Sequence, residues 1–257
     1  MTVVERQDSS AGAGGAPVLV ARTDPADAFD PIAVYAAGVE AGLEAALWLR
    51  GSEDLALVGL GRAWAVDAEG DGRFGAAADA WRAVTDVLGP DDPAWPSGVG
   101  PLLMGGLGFT GRVPAADEIW APFGATSLVL PEFIAAQTGG GAWITTTTAD
   151  GVAAPGMRPW DRVLARGREL AHAPAAMVAR PVSLPLTVVG EQPDEALWRR
   201  TVGLFAGAVG RGRLDKVVLA RRVVLSSPAD LDVENALRRL AASAPESTVV
   251  AFHRGDR

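Results

Sequence analysis

The residues from Leu214 to Leu225 read LDKVVLARRVVL, an apolar run that is interrupted by three basic residues. Side chains alternate between the two faces of a strand, so residues 216–225 would place apolar groups on both faces. Strands of this kind are usually covered on each side. The pattern therefore predicts a central strand from Lys216 to Leu225, with the Lys216 side chain mostly buried near its start.

Lys216 is the only lysine among the 23 basic residues of the chain, the other 22 being arginine. Arginine stays charged at any working pH, whereas a desolvated lysine can lose its proton and act as a general base. Lysine side chains also commonly reach solvent from the end of a strand, and this structural reading stays open.

Strand-like and helix-like segments alternate along the rest of the chain. Asp30 is a candidate N-cap, and Pro31 suits the first turn of the helix that follows it. This order of segments predicts a mixed α+β or a layered α/β architecture and disfavours a regular parallel sheet. The predicted strands are 17–23, a bent strand or hairpin at 55–66, 102–109, 127–135, 142–148, 182–189 and 248–252, and the predicted helices are 30–46, 74–88, 160–177, 193–209 and 233–242.

The composition of the 257 residues limits the possible classes of function. The chain has no cysteine and two histidines, which excludes disulfides, thiolate metal sites and histidine-rich metal sites. A formal net charge of −8 argues against nucleic acid as a partner. Residues 1–17 form a polar leader without the features of a signal peptide, and no apolar run is long enough to span a bilayer. We predict a cytoplasmic protein.

Two short motifs match known signatures by letter. Gly106 to Gly111 fit G-x-G-x-x-G, but no helix is predicted directly after them, so we expect a bend or close packing and no bound nucleotide. Arg254-Gly255-Asp256 is the adhesion tripeptide, which in a chain of this composition we interpret as a turn between two strands.

A resemblance to a known family begins at Lys216. The run Lys216-Val-Val-Leu-Ala-Arg221 follows Gly212-Arg-Leu-Asp215 and a predicted helix that carries Trp198. Upstream lie Gly105-Gly-Leu-Gly-Phe109, then Trp120, then Leu128-Val-Leu-Pro-Glu132. This order resembles the chorismate-utilising enzymes, and among them the isochorismate synthases.

The resemblance implies a fold and a division of the chain. The family fold is α+β, a layered antiparallel β-sandwich with outer helices, and we expect it to be incomplete at the C-terminus of this chain. Residues 18–190 would form its N-terminal part, and 191–257 would begin the chorismate-binding catalytic domain. The loop near Gly190 is the predicted boundary.

The resemblance also implies a reaction. Family members that add water carry lysine at the position of Lys216, whereas members that add an amine usually carry glutamine. Lys216 would deprotonate the water that attacks C2 of chorismate, and a glutamic acid would protonate the departing C4 hydroxyl. Mg²⁺ would bind the substrate carboxylate. The acid and the Mg²⁺ ligands are expected beyond residue 257, so Lys216 is the one catalytic residue that we assign. No metal-ligand or cofactor-binding residue is assigned within the chain. Neither Arg221 nor Arg222 is assigned a substrate contact, and a supporting electrostatic role of one of them in the strand stays open.

The implied function is the conversion of chorismate to isochorismate for menaquinone or siderophore biosynthesis, with the isolated chain inactive. A salicylate synthase, which adds water and then eliminates pyruvate, is an alternative. A non-catalytic fragment or binding module is another. An amine-transferring enzyme is disfavoured by Lys216. The sequence makes no prediction of oligomeric state.

Overall fold

A computed structural model describes residues 19–88, 95–116, 118–149, 159–172 and 185–255. These ranges contain both strands and helices, and no helix within them is long and apolar enough to cross a membrane. In chain order the elements are β1 (Leu19–Ala26), α1 (Pro31–Glu40), β2 (Ala45–Arg50), β3 (Leu55–Leu60), β4 (Trp64–Val66), α2 (Arg73–Leu88), β5 (Met104–Leu107), β6 (Thr126–Leu130), β7 (Phe133–Thr138), β8 (Gly141–Ala149), α3 (Pro159–His172), β9 (Thr187–Gln192), α4 (Glu195–Gly210), β10 (Arg222–Ser226), α5 (Val233–Ser243) and β11 (Thr248–His253).

The described residues form two compact units. One contains the described residues up to 172 together with those from Glu234 onward, and the other contains the described residues 185–233. Gly190 lies within the second unit, and the division into two parts near this residue stays a prediction. The last strand, β11, returns to the first unit, where it pairs with β2 from Thr248 opposite Arg50 to His253 opposite Ala45.

A six-stranded antiparallel sheet organises the first unit, in the order β1-β8-β7-β3-β2-β11. Side chains on one face of this sheet, among them Leu47 and Phe133, pack with residues of all three helices α1, α3 and α5. Ala46, the neighbour of Leu47, points to the opposite face, as the alternation of side chains along a strand requires. There it packs with Met104 of β5.

β5 belongs to a second antiparallel sheet with the order β4-β6-β5, so the unit has helices, a large sheet and a small sheet in layers. The predicted layered α+β architecture, with antiparallel sheets and outer helices, is confirmed. The predicted strand at 127–135 is divided at Pro131 into β6 and β7, which lie in different sheets. The segment at 55–66 divides in the same way into β3 and β4, with a turn at Gly61, where φ is +71°.

The first helix begins as the sequence predicts. The Asp30 carboxylate accepts a hydrogen bond from the Ala33 amide at 3.0 Å, and Pro31 occupies the first turn. The helix ends at Glu40 and does not reach residue 46, because the chain turns at Gly42 with φ +74° and Ala45 opens β2. The second Asp30 oxygen accepts a 2.8 Å hydrogen bond from Arg238 of α5, which links the two helices.

The second unit consists of α4 and the two-stranded antiparallel sheet β9–β10, whose pairing shifts register between Val224 and Leu225. Asp194 caps α4 by accepting a hydrogen bond from the Leu197 amide at 2.8 Å. None of the residues from 185 to 233 is buried. The described residues of this unit therefore form no enclosed core, and local hydrogen bonds shape it.

Candidate functional site

Lys216 lies in a segment without regular secondary structure between α4 and β10, and its side chain is exposed. The predicted central strand from Lys216 to Leu225 is wrong. Only Arg222–Ser226 form a strand, all five of its residues are exposed, and its sheet has two strands. The apolar pattern predicts that both faces of the strand are covered by other residues. The described residues of this unit do not cover them.

The apolar residues around Lys216 share its exposure. Val218 is 81% exposed, and Leu225 is 50% exposed. The described residues of this unit therefore do not enclose Lys216 in an apolar pocket. Within the described ranges Lys216 also makes no hydrogen bond or ion pair.

An ion pair holds the end of the Lys216 segment. Arg221 Nη2 lies 2.8 Å from Glu191 Oε2, and both side chains are largely shielded from solvent. Glu191 Oε2 also accepts a hydrogen bond from the Glu195 amide at the start of α4, at 3.2 Å. Glu191 thus connects β9, α4 and the residue before β10. The sequence alone gave Glu191 no role, because it does not show which distant arginine lies beside a given carboxylate.

The glycine-rich segment after β5 is packed closely against backbone. A Cβ on Gly105, where φ is +143°, would lie 1.6 Å from the Ser127 carbonyl oxygen, and one on Gly111 would lie 2.5 Å from backbone atoms of Gly70. The buried Arg73 guanidinium donates hydrogen bonds to the carbonyl oxygens of Gly70 and Gly108, at 3.0 and 2.8 Å.

Of the two expectations for residues 106–111, a bend or close packing, the contacts at Gly108 and Gly111 support close packing. No α-helix follows these glycines before β6 in the described residues, so the helix N-terminus of a dinucleotide site is missing there. The absence of nucleotide binding itself stays a prediction.

Beside this segment lies an open groove of about 670 Å³ in the first unit. Its lining comes from β5, from the loop that follows, from β6 and from β11, and includes Trp120, Phe123 and Phe252. Ser127, only 7% exposed, also lines the groove, and its hydroxyl has no hydrogen-bond partner in the described part of the chain. The sequence contained the glycines and the aromatic residues, but it did not indicate that they surround one space.

The arginine of the Arg254-Gly255-Asp256 tripeptide is buried, at 8% exposure, directly after β11. Its guanidinium lies 5.5 Å from the centre of the Phe123 ring and 3.9 Å from a Glu44 oxygen. Burial lowers the pKa of Arg254, and the Glu44 carboxylate opposes that shift. Gly255 has φ +62°, which fits the predicted turn, while Asp256 lies outside the described residues. Arg254 is thus a packed residue and is not presented for adhesion.

No group of three or more histidine, aspartate or glutamate side chains in the described ranges is arranged to hold a metal ion. The carboxylates that the structure describes therefore do not fit a Mg²⁺ site. The Mg²⁺ expected from the sequence resemblance stays an expectation, and no chemical step is derived through it here.

Comparison with known proteins identifies the family. Residues 6–257 match the family of chorismate binding enzymes. No curated protein matches the chain. Among solved structures, the chain is similar to MenF, the menaquinone-specific isochorismate synthase from Escherichia coli, with 21% sequence identity and a TM-score of 0.48. That match covers 93% of this chain and 49% of the MenF chain, so this chain spans about half the length of the solved relative. Because the family match extends over nearly all of its residues, the chain belongs to the chorismate binding enzyme family.

Proposed function

We propose that this chain carries the general base of an isochorismate synthase, an isomerase that converts chorismate to isochorismate for menaquinone or siderophore biosynthesis. The observation that carries the proposal is the family match over residues 6–257, which includes the only lysine of the chain at the start of KVVLAR. The substrate follows from the family, and the choice of water as nucleophile follows from Lys216.

The reaction exchanges one hydroxyl group for another. Lys216, in its neutral form, takes a proton from water, and the resulting hydroxide oxygen bonds to C2 of chorismate as the ring double bonds shift. The bond from C4 to its hydroxyl breaks, and that oxygen leaves as water after a general acid protonates it. Lysine can serve as the base because it can lose its proton, which an arginine at this position could not do.

The exposed position of Lys216 sets a condition on this mechanism. Because Lys216 is exposed, the proposed mechanism requires a further surface that covers Lys216 and supplies the acid. The described residues of the second unit provide neither the covering surface nor the acid beside Lys216. We therefore propose that residues 1–257 alone do not turn over chorismate, and that the catalytic unit is the product of the complete reading frame.

The test is an assay of that product with chorismate and Mg²⁺ in ¹⁸O-labelled water. Isochorismate that carries one ¹⁸O at C2 is the expected product, because the new hydroxyl comes from solvent. Salicylate and pyruvate as the final products would assign the salicylate synthase reaction instead. Recovery of unchanged chorismate from a folded protein would contradict an enzymatic role and support the binding-module alternative. Residues 1–257 assayed in parallel should give no product.

A further inference from the structure

The segment that carries Lys216 is held at both of its ends. At its beginning, the amides of Gly212 and Arg213 donate hydrogen bonds to carbonyl oxygens in the last turn of α4, at 2.9 and 3.0 Å. Gly212 adopts φ +68°, the left-handed conformation that commonly closes a helix. At the other end lies Arg221, which is paired with a carboxylate. Residues 214–220 lie between these two anchors and form neither helix nor strand.

The second anchor connects the end of the segment to the start of α4 through Glu191. The Glu191 carboxylate oxygen that lies 2.8 Å from Arg221 also accepts a hydrogen bond from the Glu195 amide, at 3.2 Å. A carboxylate is favoured at this place because the amides of a first helical turn attract negative charge. The Arg221 and Glu191 side chains are 21% and 28% exposed, whereas those of the Arg199–Glu195 pair on α4 are 77% and 58% exposed. Glu191 therefore fixes Arg221 relative to the helix from which the segment leaves.

The two neighbouring arginines at the end of the segment differ in their surroundings. Arg221 Nε is buried and has no partner among the described residues, so the position of this guanidinium depends on Glu191. Arg222 is exposed, and its side chain makes no hydrogen bond or ion pair within the described ranges. The sequence left open which of the two arginines has a supporting role. The geometry favours Arg221.

We propose that Arg221, held by Glu191, is a positioning residue for Lys216. The inference rests on the proposed function of Lys216 as the general base. Such a base acts only within hydrogen-bond reach of the proton that it takes, ~2.6–3.2 Å between heavy atoms. A displacement of about 1 Å can lower the rate by ~10²-fold. Because residues 214–220 have no regular structure of their own, the place of Lys216 depends on the two anchors. Arg221 needs no contact with chorismate in this role.

The anchor can be measured directly because Lys216 is the only lysine of the chain. Lysyl endopeptidase cleaves after lysine, so the bond from Lys216 to Val217 is its one site in residues 1–257. Cleavage requires local opening of the chain around that bond. In the product of the complete reading frame, Arg221→Gln and Glu191→Gln should each speed cleavage after Lys216 by roughly fivefold, the value of one partly shielded ion pair. The exposed Arg222→Gln is the matched control and should leave the rate unchanged. Fragment masses identify the cleaved bond.

The same variants are then assayed with chorismate and Mg²⁺. Arg221→Gln should lower kcat by roughly 10- to 100-fold and leave KM unchanged, because the anchor acts on the base and not on substrate binding. The urea midpoint should also stay unchanged, which separates this effect from a loss of folded protein. Arg221→Lys should recover part of the rate, since it keeps a cation opposite Glu191. The double variant with Glu191→Gln should be no slower than Arg221→Gln alone, because both changes remove one contact. Arg222→Gln should turn over normally.

The outcomes that would overturn the positioning role are distinct from failure of the proposed function. Unchanged cleavage after Lys216 in Arg221→Gln would show that the pair anchors nothing. Faster cleavage with normal kcat would show that the anchor does not position the base. A raised KM with normal kcat would make Arg221 a substrate contact instead. In each of these cases Lys216→Gln would still be inactive. Normal turnover by Lys216→Gln would contradict the proposed function itself, and the positioning role with it.

Discussion

Glu191 and Arg221 form an ion pair, with 2.8 Å between Glu191 Oε2 and Arg221 Nη2, which joins β9 to the residue before β10. The Arg221 Nε is buried and has no partner among the described residues, so the guanidinium depends on this carboxylate for its position. The segment that begins at Lys216 is thereby fixed at its far end, while Lys216 itself stays exposed.

Arg221→Gln should loosen the pairing of β9 with β10. Loss of this partly shielded pair should cost about 1 kcal/mol of local stability, which corresponds to roughly fivefold faster amide exchange at Val223 and Val224. Arg222→Gln is the matched control, since Arg222 is exposed and should change exchange little. The measurement is hydrogen–deuterium exchange by NMR. Equally faster amide exchange in both variants would show that the positive charge of the strand stabilises the pairing and that the ion pair with Glu191 does not.

Lys216→Gln should abolish isochorismate formation by the product of the complete reading frame while leaving the fold intact. Glutamine cannot accept the proton, and general-base catalysis typically contributes ~10²–10⁴-fold. Lys216→Arg should fail equally, because the guanidinium stays protonated. The rates of product formation and the circular dichroism spectra of both variants provide the measurement. Near-normal turnover by either variant would assign the base to another group.

Gly105 and Gly106 are neighbours with opposite tolerance for a side chain. Gly105→Ala should destabilise the chain by at least about 2 kcal/mol, because alanine disfavours φ +143° and its Cβ would meet the Ser127 carbonyl oxygen. Gly106→Ala should be close to neutral, since its Cβ enters open space. Urea unfolding of the two variants measures the difference. Similar midpoints for both would show that β5 relaxes around the added methyl group.

Tyr35 is the only tyrosine, so its titration can be followed without overlap from another phenol. Burial raises its pKa to about 12, whereas an unfolded tyrosine titrates near ~10. The folded state keeps the proton where the unfolded state loses it. The contribution of Tyr35 to stability is therefore complete below pH ~10 and is lost as pH rises to about 12.

Ultraviolet absorbance of tyrosinate should thus rise only near pH 12 in the folded chain. Tyr35→Phe should remove this signal and flatten the fall in urea midpoint above pH ~10. A tyrosinate signal that is half complete near pH 10 while the chain is still folded would show that the ring reaches solvent.

The parts of this fold that sequence predicts are those set by neighbouring residues. Asp30 caps α1 because its carboxylate meets an amide three residues away, and the same holds for Asp194 and α4. Both contacts depend on local spacing alone, and so does the alternation that directs Leu47 and Ala46 to opposite faces. The family resemblance from Lys216 also needs no tertiary information.

The parts that could not be predicted depend on residues far apart in the chain. β11 pairs with β2, about 200 positions away, and no local signal selects that partner over another strand. Gly106 opposite Ser127 and Glu191 beside Arg221 are likewise consequences of register and packing. Lys216 is the clearest example. The apolar pattern predicts that its strand is covered, but it does not indicate which residues would cover it, and Lys216 is exposed.

The surface of the second unit should make residues 1–257 poorly soluble in isolation. Large apolar side chains are exposed there, among them Leu204 at 67% and Val218 at 81%, and none of the described residues 185–233 is buried. Contiguous apolar surface and unpaired strand edges promote association. Leu204→Glu combined with Val218→Glu should raise the soluble yield and lower the light scattering at matched concentration. Val113→Asp combined with Ile119→Asp, an equal change in charge at exposed positions of the first unit, should have a smaller effect. A monodisperse unmodified chain, or equal improvement by both pairs, would show that the second unit is not the source of association.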